Sequence, residues 1–141
     1  MVKFFGTYKR VLDEKGRLLI PSKLFHEGTK RYFVLRGFEG CLSVYEEADF
    51  EALMEKLGAM DYLDPDARKI IRLASASVNE LPVDVHGRVL LGKDLLRDYA
   101  IGHEVTLIGV LDHFEIWDST AYARYDLMEG ASYGLKGNKP V

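Results

Sequence analysis

The chain is poor in the residues that would support covalent or metal-based architecture. Cys41 is the only cysteine among 141 residues, so no internal disulfide can form and one chain cannot assemble a thiolate cluster. Its four histidines, His26, His86, His103 and His113, show no His-Glu-x-x-His or comparable ligand spacing. Gly-x-Gly-x-x-Gly and the Walker phosphate loop are both missing, which removes the common nucleotide-binding signatures. No apolar run approaches the roughly 18 residues of a membrane span. The opening "MVKFFGTYKR" has Lys3 but no apolar stretch suited to a signal peptide, so a cytoplasmic location is expected. A net charge of −3 gives no bulk electrostatic attraction to nucleic acid.

The charge is unevenly spread, however. Residues 1–36 hold nine Lys or Arg against three acids, a net of +6. Residues 37–66 hold nine acids against Lys56, a net of −8, and the remainder is near neutral at −1. A basic segment beside an acidic one can present faces of opposite sign, and the local field matters more than the total.

The chain also repeats itself. "DEKGRLLIPSKL" (13–24) lies over "DVHGRVLLGKDL" (84–95) at an offset of 71, matching Asp13, Gly16, Arg17, Leu19 and Leu24 to Asp84, Gly87, Arg88, Leu90 and Leu95. After one residue of slippage, "FVLRGFEGCLSVYEEADF" (33–50) lies over "VTLIGVLDHFEIWDSTAY" (105–122), setting Leu35 and Gly37 on Leu107 and Gly109. Each copy reads as a strand, the Asp-x-x-Gly-Arg corner, a second strand, a short helical turn, two more strands and a closing helix. Phe50, Leu53, Met54 and Leu57 have the spacing of one buried helix face, and Asp118 is a suitable N-cap for a helix over 119–128 that Gly130 would stop. Asp64-Pro65-Asp66 starts a connecting helix, whose expected inner face is Ala67, Ile70, Ile71 and Ala74. The organisation is therefore a first repeat at 1–60, a connecting helix at 61–76, a second repeat at 77–129 and a mobile Gly-rich tail at 130–141.

Structure alone accounts for part of the repeated corner. Gly16 and Gly87 suit a left-handed turn position, Asp13 and Asp84 can bond the turn's amides, and each Arg can reach back to its Asp. It does not account for the tips. Lys15 and His86 stand beside the glycines where side chains meet solvent, Arg17 and Arg88 follow, and Lys9 and Arg10 lie on the strand entering the first corner. Such cations neutralise phosphate, and the arginine fork matches the guanine O6/N7 edge. An Asp that braces the Arg also reduces the freedom lost on binding.

"GTYKRVLDEKGRLLIPSKL", "DVHGRVLL" and "FEIWDSTAY" together resemble the MraZ family of bacterial transcriptional regulators, in the AbrB-like superfamily, over about residues 1–129. The resemblance implies an α+β fold of two tandem AbrB-like swapped-hairpin units of β-barrel type, forming an intramolecular pseudo-dimer with peripheral helices. It implies a ring-shaped homo-oligomer on the nucleoid. Its implied partner is double-stranded DNA, read as short G-rich direct repeats upstream of the family's own operon in the division and cell-wall gene cluster. It implies no cofactor. Carried over by position, the motif residues are Asp13 and Arg17 with Asp84 and Arg88, and Lys15 is the basic tip. The second copy departs with His86 there and Val85 in place of Glu14. Two other readings stand beside this one. AbrB-like units also serve as antitoxin-like partner binders, but those carry a long peptide arm where this chain has a second folded copy. An enzyme is the third, against which Cys41 has no activating neighbour in sequence. Tyr45, Trp117 and Tyr122 alternate with aliphatic residues, which favours packing over base stacking.

Overall fold

In the computed structural model, which describes residues 3–135, local pattern and strand exchange together decide the architecture. The strands of the first repeat are β1 (Thr7–Val11), β2 (Arg17–Leu19), β3 (Arg31–Arg36) and β4 (Leu42–Tyr45). Those of the second are β5 (Asn79–Pro82), β6 (Arg88–Leu90), β7 (Glu104–Gly109) and β8 (Phe114–Asp118). Four helices are added: α1 (Glu47–Gly58), α2 (Pro65–Ala76), α3 (Lys93–Asp98) and α4 (Ser119–Leu135). A 3₁₀ turn at Ser22–Leu24 occupies the place of α3 in the first repeat.

Six strands form one antiparallel sheet in the order β1-β7-β8-β4-β3-β5, and β2 pairs with β6 in a separate ribbon. Exchanging the two repeats leaves both orders unchanged. The edges are swapped: β1 of the first repeat pairs with β7 of the second, and β5 pairs with β3. Neither repeat closes its own sheet. At the centre β4 meets β8, with Ser43 opposite Glu115, and in the ribbon Leu18 sits opposite Val89. These two contacts mark the pseudo-twofold axis.

Strand alternation supplies the core. Tyr32, Val34, Leu42, Val44, Leu107, Phe114 and Ile116 face inward from the large sheet toward Leu18 and Val89 of the ribbon. Phe114 lies edge-on to Tyr32 at 5.5 Å and beside Phe4 at 5.6 Å. The opposite face is covered by helices, where Phe33 stacks on Phe50 of α1 and Trp117 packs against Tyr122 and Tyr125 of α4. Covered on both sides, β4 is buried at every position.

Three expectations are corrected. The equivalence of β3 and β7 is one residue off the sequence alignment, since Val11 pairs with Glu104 whereas Pro82 pairs with Arg31. Tyr32 and Val34, not Phe33 and Leu35, therefore match Val105 and Leu107. The cause is length: α3 makes the second repeat two residues longer before this strand, and the β3–β4 connection is one longer than β7–β8. Ile70 does not lie on the inner face of α2; it is 45% exposed while Ala67 is buried. Finally, Asp118 does cap α4, its carboxylate accepting from Ala121 N at 3.1 Å, but Gly130 does not stop it. Gly130 has no positive φ, and an interior helical glycine costs only about 1 kcal/mol. Residues 130–135 of the expected tail are thus helical, and 136–141 lie outside the described residues.

Candidate nucleic-acid interface

Each Asp-x-x-Gly-Arg corner is a three-residue connection closed by backbone bonds. Asp13 N donates to Arg17 O at 3.1 Å and Gly16 N to Asp13 O at 3.0 Å; the second corner repeats this with Asp84, Arg88 and Gly87 at 2.9 and 3.1 Å. Gly16 and Gly87 both hold φ at +79°, a left-handed position that closes such a turn and that side-chain-bearing residues occupy at a cost.

The aspartates then do two things at once. Oδ1 of Asp13 accepts from the amides of Lys15 and Arg17 at 2.9 and 2.8 Å, while Oδ2 accepts from Arg17 Nε at 2.6 Å. Oδ1 of Asp84 accepts from His86 and Arg88 at 2.8 and 2.9 Å, and Oδ2 from Arg88 Nε at 3.0 Å. The amide of Arg17, assisted by its guanidinium and the Lys15 amide, holds the Asp13 carboxyl below the usual aspartate range. Arg88 and His86 do the same for Asp84. Both carboxylates are charged at neutral pH and cannot act there as general acids.

Because Asp grips Nε, the two Nη atoms of each arginine stay outside the pair. Among the described residues neither arginine donates a hydrogen bond from Nη, and across the corners Arg88 Nη1 makes a long ion pair with Asp13 Oδ2 at 4.0 Å. The side chains of Arg17 and Arg88 are 32% and 29% exposed. The result is a braced arginine with an open fork, built twice.

The ribbon brings the corners together, with Leu91 N donating to Gly16 O at 2.9 Å and Ile20 N to Gly87 O at 3.1 Å. Lys15 and His86 are exposed at the two tips. The remaining candidates are placed differently. Arg10 lies opposite Val105 on the ribbon side of the sheet, its Nη1 donating to the Lys9 carbonyl at 2.8 Å. Lys9 lies opposite Thr106 on the other side, lining a cleft of about 630 Å³ with Tyr122 and Asp126 of α4. The structure therefore unites Lys15, Arg17, His86 and Arg88 and leaves Lys9 behind, because a strand turns successive side chains to opposite faces.

The other polar chemistry is structural. Cys41 is buried and its thiol is pushed up by desolvation, the reverse of an activated nucleophile. Glu46 accepts from Lys3 at 3.2 Å and Thr29 at 3.0 Å and pairs with His26 Nδ1 at 2.8 Å, tying the N-terminal segment to the start of α1. Trp117 is buried and Tyr45 stacks flat on His113 at 4.5 Å, so these aromatics pack rather than offer base-stacking platforms. Among the described residues no helix is long and apolar enough to cross a membrane.

A family model described as "MraZ protein, putative antitoxin-like" matches residues 4–73 and 76–129. The chain belongs to the MraZ family. Its relatives include a protein of Acetivibrio thermocellus, 37% identical over 92% of this chain and 90% of that one. Others come from Rhodococcus jostii (37% identical over 86% of this chain and 85% of the relative) and Clostridium acetobutylicum (34%, 87% of each). All three are named "Transcriptional regulator MraZ"; they are regulators by name, not enzymes. Both corners fall within the matched segments.

Proposed function

We propose that this MraZ-family chain is a transcriptional regulator that binds double-stranded DNA through the paired corners, with Arg17 and Arg88 as the principal contacts, Lys15 and His86 at the tips, and Asp13 and Asp84 as braces. The observation that carries the reading is the open fork of each Asp-held arginine. A pre-oriented guanidinium meets a phosphate or a guanine edge with less ordering cost than a free one.

One such contact is weak, giving about 1–3 kcal/mol of discrimination. Several copies joined in a closed homo-oligomer make the later contacts intramolecular, which is how a ring would grip tandem G-rich repeats spaced near one helical turn. The site of action is then the nucleoid, at DNA upstream of the chain's own operon in the division and cell-wall cluster. Gel-shift titration against that upstream DNA tests the proposal. Arg17→Ala should weaken binding with fold and assembly intact, and affinity should fall steeply with salt, by about 0.9 in log–log slope per neutralised phosphate. Unchanged binding at equal salt removes Arg17 from the site.

The family description also names antitoxin-like proteins, so a protein partner is the second reading. It is distinguished by purification of the chain from its host: DNA sensitive to nuclease supports the first reading, a stoichiometric protein the second.

A further inference from the structure

The ribbon holds a pair of residues that the fold does not explain. Its inward side chains, Leu18 and Val89, are sealed in the core. Its outward ones are Arg17 and Leu19 on β2 and Arg88 and Leu90 on β6. Outward positions on a solvent-facing antiparallel pair ordinarily take polar residues, yet Leu19 and Leu90 are 54% and 55% exposed. Neither belongs to the hydrophobic core. The register places Arg17 directly opposite Leu90, and Leu19 directly opposite Arg88. The four side chains therefore make one block in which arginine and leucine alternate. Leu19 also lies over Gly87 of the neighbouring corner, 3.8 Å from where a Cβ would stand there.

The dimensions suit a duplex. Two residues of strand cover roughly 7 Å, about two base-pair steps at 3.4 Å, and the major groove admits a two-stranded ribbon. On that groove's floor the thymine C5-methyl is the apolar feature, whereas cytosine presents an amino donor that a leucine would desolvate without a partner. Resting on the DNA-binding reading above, we infer that Leu19 and Leu90 are base-reading residues that pack on thymine methyl groups beside the guanine or phosphate contacts of Arg17 and Arg88. Specificity then belongs to the ribbon's outer face as well as to its tips.

The test uses the full chain and a duplex pool with a randomised centre. Selection by the unsubstituted chain should enrich thymine next to guanine, and Leu19→Asn and Leu90→Asn should lose the thymine preference while melting normally. The selected duplex, remade with deoxyuridine for thymidine, should bind the unsubstituted chain roughly fourfold more weakly per contacted methyl, the fold-change that about 0.8 kcal/mol represents. The asparagine variants should not distinguish the two duplexes. Equal binding of both duplexes by the unsubstituted chain overturns the inference. So does a loss of assembly mass in the leucine variants with thymine preference retained, which would make the leucines a subunit contact. If Arg17→Ala and Arg88→Ala weaken every duplex while the methyl is silent, DNA binding stands and this inference alone falls. If the chain enriches no sequence, both fall.

Discussion

Replacing Gly16 and, separately, Gly87 with alanine should produce unequal losses of stability, although the two glycines hold the same place in the Asp-x-x-Gly-Arg motif and the same φ of +79°. The shared part is the left-handed conformation, which costs a side-chain-bearing residue about 1–2 kcal/mol. The unshared part is space. A Cβ on Gly87 would meet only Leu19 Cδ1 at 3.8 Å, an ordinary contact. A Cβ on Gly16 would meet Leu96 Cδ1 at 3.2 Å and the Gly92 backbone nitrogen at 3.3 Å. Leu96 packs against the core, and Gly92 is itself left-handed at the start of α3, so neither retreats freely. Crowding of this kind adds about 1 kcal/mol or more. Gly87→Ala should therefore lose about 1–2 kcal/mol and Gly16→Ala about 2–3 kcal/mol. Urea unfolding at fixed protein concentration measures both, with a matching difference of a few degrees in Tm. Equal losses, or a larger one at Gly87, would falsify the claim that α3 buttresses only the first corner.

Asp13→Asn and Asp84→Asn should leave the fold intact and lower DNA affinity by loosening Arg17 and Arg88. Because both carboxyls titrate below their ordinary range when folded, the unfolded chain takes up protons first on acidification. Their contribution is complete above the usual aspartate range and is lost as pH falls through the depressed values, so the double variant should show a shallower acid limb in a pH series of urea melts. Glu46→Ala should cost about 2 kcal/mol, a charged hydrogen-bond acceptor removed from three partners; amide exchange should accelerate around Lys3 and the start of α1, and no change there would show the cluster to be incidental. Phe114→Ala should cost about 3–5 kcal/mol, since its ring is fully buried between Phe4 and Tyr32; a melting shift of only a degree or two would mean the site collapses around the loss.

The corners were legible in the sequence because everything that makes them is local. Asp, Gly and Arg within five residues determine the turn, its amide bonds and the Nε clasp. Helix starts at Asp64 and Asp118 were readable for the same reason. The strand exchange was not derivable from pattern, since β1 finds β7 about a hundred residues away and alternation says which face is apolar, never which strand lies alongside; it entered only through the family resemblance. The slip between β3 and β7 stayed hidden because a 3₁₀ turn and a full helix can present similar apolar residues at different lengths. Lys9 and Arg10 are neighbours in the sequence, the relation that a strand's pleat turns into opposition. The outward placement of Leu19 and Leu90 is written in the alternation itself, since each follows a buried neighbour, Leu18 and Val89.

The swapped order of the large sheet carries a consequence for how such a protein can change. In an assembly of identical single-repeat chains, any substitution appears in every copy, and symmetry is conserved whether or not it is useful. Here the two halves are welded into one polypeptide, so Glu14 can give way to Val85 and Lys15 to His86 on one side only. A partner without a dyad of its own can then be met by two hands that are no longer mirror duties of each other.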